Sequence, residues 1–425
     1  MKNFSAVILL FIANSISGVA QGISMLAIPW YFAQQDGMAQ FGFVYVLTNA
    51  VALFWVPYSG TLIDRYNRKT IFLVLTAVVG LLLFSISGLG FYHQGLPWQL
   101  VAAVFMLTFL NYNVHYPNLY AFVQEIAEPS YYGKITSYLE IQGQLTAVMA
   151  GAGAALLLEG TSEQAYAVFG YELSFINGIE AWHIHEIFLL DASTYFVAFL
   201  IISFIHYQPL AKRRQEEGSL YQRLMVGVDY LRQNTSVLLF GFASYTTFIA
   251  VLITTFYLAA NYVNVHLLAG GDVFATSEIF YAVGAVFAGV AIRRIFARLT
   301  LPMSVIIMTI GSTALFAVLF ASKSIAIFYA MNFVLGLTNA GIRIQRVTWL
   351  FSKVPNQVYG RANSVFNLLN ISCRISLLLL FSLPFFHQDN NVIYGFLILS
   401  LFLLAAAILL LYHYTSFVEL EKELD

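Results

Sequence analysis

Gly60-Thr61-Leu62-Ile63-Asp64-Arg65-Tyr66-Asn67-Arg68-Lys69 sets one acid and three bases into its last six positions. The stretch joins two apolar runs, near 41–62 and 70–92, each long enough to cross a bilayer as a helix. Charge crowded between two such runs marks a short turn at a membrane surface, with the bases on the cytoplasmic side. A basic loop obeying that rule would explain the arginines. It would not explain Gly60 and Asp64 at their spacing.

Outward from this turn the rest of the chain reads the same way. Hydrophobic residues make up 60% of it and charged residues only 10%, against roughly a quarter charged in a soluble domain. Long uncharged runs recur, such as 301–321 and 392–412. Backbone polar groups in lipid must pair internally, and runs this uniformly apolar do not alternate like barrel strands, so they are helices. Spans are expected near 6–33, 41–62, 70–92, 97–124, 134–158, 184–207, 236–263, 274–296, 302–321, 324–351, 358–385 and 392–414. The N-terminal apolar segment has no small-residue cleavage site before Gln34 and reads as the first span. With the N-terminus inside, Lys2, Arg65, Arg68, Lys69, Lys134, the Lys212-Arg213-Arg214 run, Arg223, Arg232, Arg293, Arg294, Arg298, Lys353, Arg361 and Lys422 all face the cytoplasm. The outer loops hold only Lys323. That bias places both termini in the cytoplasm. A net charge of −1 suggests no nucleic-acid partner, and the single Cys373 forms no disulfide within the chain.

The halves repeat. Tyr132-Gly133-Lys134 opens the fifth span and Tyr359-Gly360-Arg361 the eleventh. Gly60 and Arg65 after the second span answer Gly289 and Arg294 after the eighth. Two matches at nearly one offset imply a duplicated six-helix unit: bundles over 1–207 and 236–425 with a cytoplasmic linker, 208–235. Parallel repeats of this kind place a binding site between halves near the midplane.

The quoted stretch resembles the G-x-L-x-D-R-x-x-R-[RK] signature of the major facilitator superfamily, and its position and the twelve-span layout extend the resemblance to the whole chain. The resemblance implies an all-α membrane fold of two pseudo-symmetric six-helix bundles, working by alternating access. It also implies that Gly60, Asp64, Arg65, Arg68 and Lys69 form a cytoplasmic gating motif. Arg293 replaces the acid in the second copy, so the latch is one-sided. Two features of proton-coupled drug antiporters are missing: an arginine in the fourth span and Gly-Pro in the fifth. The segment 125–137 is loosely similar to siderophore exporters and macrolide pumps.

The fold also implies that spans 1, 2, 4, 5, 7, 8, 10 and 11 line the cavity. Polar residues crowd most of those spans at helical spacing. Asn363, Asn367, Asn370 and Arg374 form one stripe, and Asn332, Asn339, Arg343 and Arg346 another. Asn111, His115 and Asn118 mark the fourth span, Glu140 and Gln144 the fifth, Asn14 and Gln21 the first, and Tyr245 the seventh. Arginine at membrane depth is costly without a partner. These arginines either pair with Glu140, Asp191 or carbonyls to hold helices, or fork onto a carboxylate of the solute. The expectation is a secondary transporter, at a bacterial inner membrane, of a small polar, carboxylate-bearing or zwitterionic solute: a siderophore, another metal-chelating compound, or an amino-acid-like one. Glu140 and Asp191 are the candidates for proton coupling. No cofactor and no bound metal are expected, and the working unit is expected to be a monomer. A multidrug or macrolide-type efflux pump is the alternative; a divalent metal-ion carrier using His115, Cys373 and Asp191 is a weaker one. Glu125 and Glu128 read as partners of Arg65 or Arg68. No Ser/His/Asp or metal-ligand constellation points to an enzyme.

Overall fold

A computed structural model describes residues 4–126, 132–160, 166–168, 171–173, 180–206 and 220–422. The side chains of Asp64, Lys134, Ser137, Glu140 and Arg293 lie outside that description, as does all of Glu128.

The described chain is a succession of long helices: α1 (Phe4–Gln34), α2 (Met38–Arg65), α3 (Arg68–His93), α4 (Trp98–Ile126), α5 (Tyr132–Glu159) and α6 (Ile184–Ser203), then α7 (Leu220–Gln233) and α8 (Thr235–Ile253). After the three-residue α9 (Ala259–Asn261) come α10 (Gly271–Ile295), α11 (Leu301–Ala321), α12 (Ile325–Lys353), α13 (Asn356–Phe381), α14 (Ile393–Tyr412) and α15 (Tyr414–Lys422). Among the described residues, eleven spans are long and apolar enough to cross a membrane. The twelfth expected span is α4, which has 29 residues but is diluted by its asparagines, tyrosines and His115. Between α5 and α6 a small hairpin pairs β1 (Tyr166–Val168) with β2 (Tyr171–Leu173).

Three features were not visible in the pattern. The linker contains α7, whose Gly227 lies so close to α13 that a Cβ there would come 2.7 Å from the carbonyl carbon of Arg361. Tyr230 of the same helix donates to the Lys353 carbonyl at 3.2 Å, and burial raises its phenol pKa. The tail beyond the last span is also helical: Phe417 of α15 is fully buried against Phe240 and Trp349. The seventh span is not uniform either. Either side of α9 it winds into wide π turns, Thr254–Leu258 and Tyr262–His266. Pro384, expected to bend the end of the eleventh span, instead opens a separate 3-10 turn after α13 has ended.

The chain divides into two compact units. The first comprises Met1–Val44, Tyr58–Gln215 and Leu268–Ile279; the second comprises Tyr45–Pro57, Glu216–Leu267 and Phe280–Asp425. The middle of α2 therefore groups with the second unit and the start of α10 with the first. In the first unit, apolar side chains of α1, α3, α4, α5 and α6 meet around Leu10, Phe72, Phe122 and Ile202. Here α1 and α5 come close at glycines: a Cβ on Gly22 would lie 2.6 Å from the Ala150 methyl, and one on Gly153 2.7 Å from Ile23. Helices in lipid gain no hydrophobic drive from one another, so close van der Waals approach of this kind holds them together. In the second unit Phe240, Trp349, Phe366 and Leu410 centre the core. There α10 and α12 pass at Gly284 and Gly336. A Cβ on Gly336 would overlap the Tyr281 carbonyl oxygen, and one on Gly284 the Phe333 carbonyl oxygen.

Candidate functional site

The charged turn is built from local rules. Asn67 caps α3, its side chain accepting from the amides of Lys69 at 2.9 Å and Thr70 at 3.3 Å. The cap aims Arg68 into the first unit, where its Nε lies 3.5 Å from Glu125 of α4. This is one of the partnerships expected from sequence. Asn118 of α4 donates to the Arg68 carbonyl at 3.0 Å, and Lys69 donates to the Ser203 carbonyl of α6 at 2.8 Å. Arg65 is exposed, its guanidinium 5.7 Å from the Tyr66 ring. Gly60 lies inside α2, and a Cβ there would meet no described atom within 4 Å. Among the described residues, neither a tight turn nor close packing accounts for it. The pairing of Arg68 with Glu125 is largely buried, with side chains 9% and 18% exposed, so Glu125→Gln is expected to lower stability by about 1–3 kcal/mol. A thermal melt of the detergent-purified variant checks this.

In the first unit the fourth-span polar residues point to neighbouring helices. Asn111 donates to the Tyr195 hydroxyl of α6 at 3.0 Å, and His115 Nε2 meets Asn14 Oδ1 of α1 at 2.8 Å. All three α4 candidates, Asn111, His115 and Asn118, are buried. Gln21 and Gln144 are half-buried. Asp191, on α6, is fully buried, with the Ser24 hydroxyl of α1 and Tyr195 as polar neighbours. Glu140 falls on α5, its side chain outside the described residues. At the outer end of α5, Glu159 accepts from the Gly271 amide at 2.6 Å, where α10 begins and an anion is favoured.

In the second unit, two arginines are buried. Arg374 Nε donates to Asn49 Oδ1 at 2.7 Å. Arg346 donates from one terminal nitrogen to the Ser244 carbonyl at 3.0 Å and lays its guanidinium 3.5 Å from the centre of the Tyr245 ring. Its Nε has no hydrogen-bond partner. Tyr245 in turn donates to Asn363 Oδ1 at 3.1 Å. Asn370 is buried with its Oδ1 unpartnered, while Asn367 is half-buried. Asn339 donates to the Tyr281 hydroxyl at 2.6 Å, beside the glycine passage. Arg343 is exposed. The structure thus gathers Tyr245, Arg346 and Asn363 into one cluster and sets Asn339 on a separate helix contact.

The family model for the Major Facilitator Superfamily matches residues 10–375. The chain belongs to this superfamily. It is accordingly a multi-pass membrane protein. Among curated proteins it is similar to Macrolide efflux protein A of Streptococcus pyogenes, at 22% identity over 228 residues. That match covers 52% of the chain and 50% of the relative, so the chain spans about half the length of the curated relatives it matches. Among solved structures it is similar to the nucleoside transporter NupG, with TM-score 0.66 and 13% identity over 98% of this chain and 99% of that one. It is also similar to a bacterial homologue of the iron transporter ferroportin, with TM-score 0.70 and 15% identity over 97% and 99%. At these identities the likeness is one of fold.

Within this superfamily framework, four residues that matter locally were missed by sequence reasoning. Asn49 was overlooked because a lone amide on an apolar span makes no stripe. Ser244 acts through its carbonyl, which no side-chain pattern reveals. Gln142, donating to the Phe11 carbonyl at 2.6 Å, and Tyr281 were hidden among half-polar neighbours. A cavity of about 320 Å³ in the first unit, walled by Trp30, Tyr31, Trp182 and His183, contains none of the sequence candidates.

Proposed function

We propose that the chain carries a small polar organic solute bearing a carboxylate across a bacterial inner membrane by alternating access, with both termini cytoplasmic. The observation that supports this reading is Arg346. It is a buried guanidinium whose hydrogen bond goes to a neutral carbonyl and whose Nε is unused. A cation in low dielectric with spare donors favours an anion, and the planar fork suits a carboxylate. Tyr245 beneath the guanidinium fixes its plane. Arg374 adds a second buried positive charge, and Asn367 and Asn370 offer amides on the same helix. A metal-chelating or zwitterionic compound fits this chemistry. The coupling cation would fall to the acids of the first half, Asp191 or Glu140, and the working unit would be a monomer.

The test is a thermal-shift panel on purified protein, with hydroxy-carboxylates, amino acids and carboxylate chelators set against their amides and esters. The acids are expected to raise the midpoint and their neutral analogues not to. Arg346→Gln is expected to weaken binding by about tenfold or more, since a charge-assisted pair contributes on the order of 1.5–3 kcal/mol. Equal response to acid and amide would overturn the reading. A macrolide-type efflux reading is favoured by the match to the streptococcal protein. It predicts macrolide resistance in a pump-deficient host and no loss with Arg346→Gln.

A further inference from the structure

The acid on α6 is not where a solute-binding acid would be expected. Asp191 has no exposed surface, and neither carboxylate oxygen has a hydrogen-bond donor. Ser24 of α1, equally buried, is the hydroxyl that faces the carboxyl, with no hydrogen bond as short as 3.5 Å between them. Ser17 on the same helix does otherwise, bonding back to the Ala13 carbonyl at 3.0 Å. One turn along α6, the Tyr195 hydroxyl accepts from Asn111 Nδ2, which leaves the buried Asn111 Oδ1 unpartnered. Four oxygens on three helices are therefore buried without a donor. Orphaned polar atoms cost free energy, a buried carboxylate most of all.

A proton on Asp191 would serve one oxygen and cancel its charge. It would leave the other lone pairs as they are. An oxygen-loving cation satisfies several at once, and its charge can be read from the ligands. One carboxylate with neutral hydroxyl and amide oxygens balances a single positive charge; a divalent ion would leave an excess in low dielectric. Beside Tyr195, α3 and α6 are in close contact: a Cβ on Gly80 of α3 would lie 3.1 Å from Tyr195 Cβ. We propose that Asp191 and Ser24, with Asn111 completing the polar wall, bind a sodium ion in the core of the first unit. As the ion that drives transport, it rests on the transporter reading above.

The test needs no organic solute, so it stands or falls apart from the carboxylate panel. The full chain in detergent is melted in sodium, potassium and choline chlorides at constant ionic strength and pH, and binding of radioactive sodium is measured directly. Sodium is expected to raise the midpoint saturably, with potassium and choline ineffective. Asp191→Asn should abolish the effect, and Ser24→Ala should weaken sodium affinity by about tenfold or more. If Asp191→Asn fails to fold, Ser24→Ala carries the test. Equal melting in all three salts, a midpoint that follows pH alone, or sodium binding unchanged in Ser24→Ala would each overturn the proposal.

Discussion

Gly336→Val is expected to prevent assembly of the second unit. The Cβ of any larger residue there would overlap the Tyr281 carbonyl oxygen and lie 2.8 Å from its carbon. Both atoms are backbone, so no rotamer change relieves the overlap, and α10 and α12 must separate. Separation would also break the Asn339–Tyr281 hydrogen bond nearby. Overpacking against movable side chains costs about 1–3 kcal/mol, and a rigid backbone raises that figure. A loss above about 3 kcal/mol is comparable with the whole margin of many folded proteins. Gly284→Val should behave alike, because its Cβ would meet the Phe333 carbonyl in the reciprocal way. Gly311→Ala is the control: its nearest contact would be an ordinary 3.9 Å to Thr338. Fluorescence-detected size exclusion should show aggregate for both valine variants and a wild-type peak for the control. A sharp monodisperse peak for Gly336→Val would refute the close passage.

The second large effect is expected at Asn49. Its Oδ1 accepts from Arg374 Nε at 2.7 Å, and both residues are buried. Asn49→Leu removes the acceptor but leaves the charge. Removing one hydrogen-bond acceptor from a buried cation costs about 1.5–3 kcal/mol. Asn49→Leu should therefore lower the melting midpoint sharply. Arg374→Met should lower it less, because it strands only a neutral amide. The double variant should be more stable than Asn49→Leu alone, since neither group is then left over. Binding separates the two roles of the arginine. If Arg374 also meets the solute carboxylate, Arg374→Met keeps its fold and loses affinity; if it only braces helices, affinity follows stability. Melting curves and the carboxylate panel on the same three variants read both.

The fold was legible because its signals are physical and repeated. Charge bias, the length of apolar runs and the turn at 60–69 each constrain the chain independently. The polar stripes were legible too, but periodicity reveals a face and not its partner. The fourth-span residues show the difference. Asn111, His115 and Asn118 share a face as spacing requires, and that face is spent on Tyr195, Asn14 and the Arg68 carbonyl. In an apolar medium an amide that braces a neighbouring helix and one that awaits a ligand have the same sequence signature. The arginines were found, yet their partners were expected among Glu140, Asp191 and carbonyls. Arg346 did take a carbonyl, while Arg374 took an amide from α2. The helix in the linker and the one in the tail were missed because each is short, and its apolar face is covered only by other parts of the chain.

The two π turns of the seventh span have a mechanical meaning. A π turn holds one residue more than an α turn, so each is a stored extra residue in an otherwise continuous screw. Releasing one would advance everything beyond it by about 1.5 Å and turn it by about 100°. Tyr262 sits at the start of the second turn, anchored to the Leu319 and Ser322 carbonyls at 3.0 and 2.7 Å, while Tyr245 lies well before the first. The span is a thread with two spare pitches: its outer end can be re-indexed against α11 while its inner end, holding Tyr245 beneath Arg346, keeps its setting.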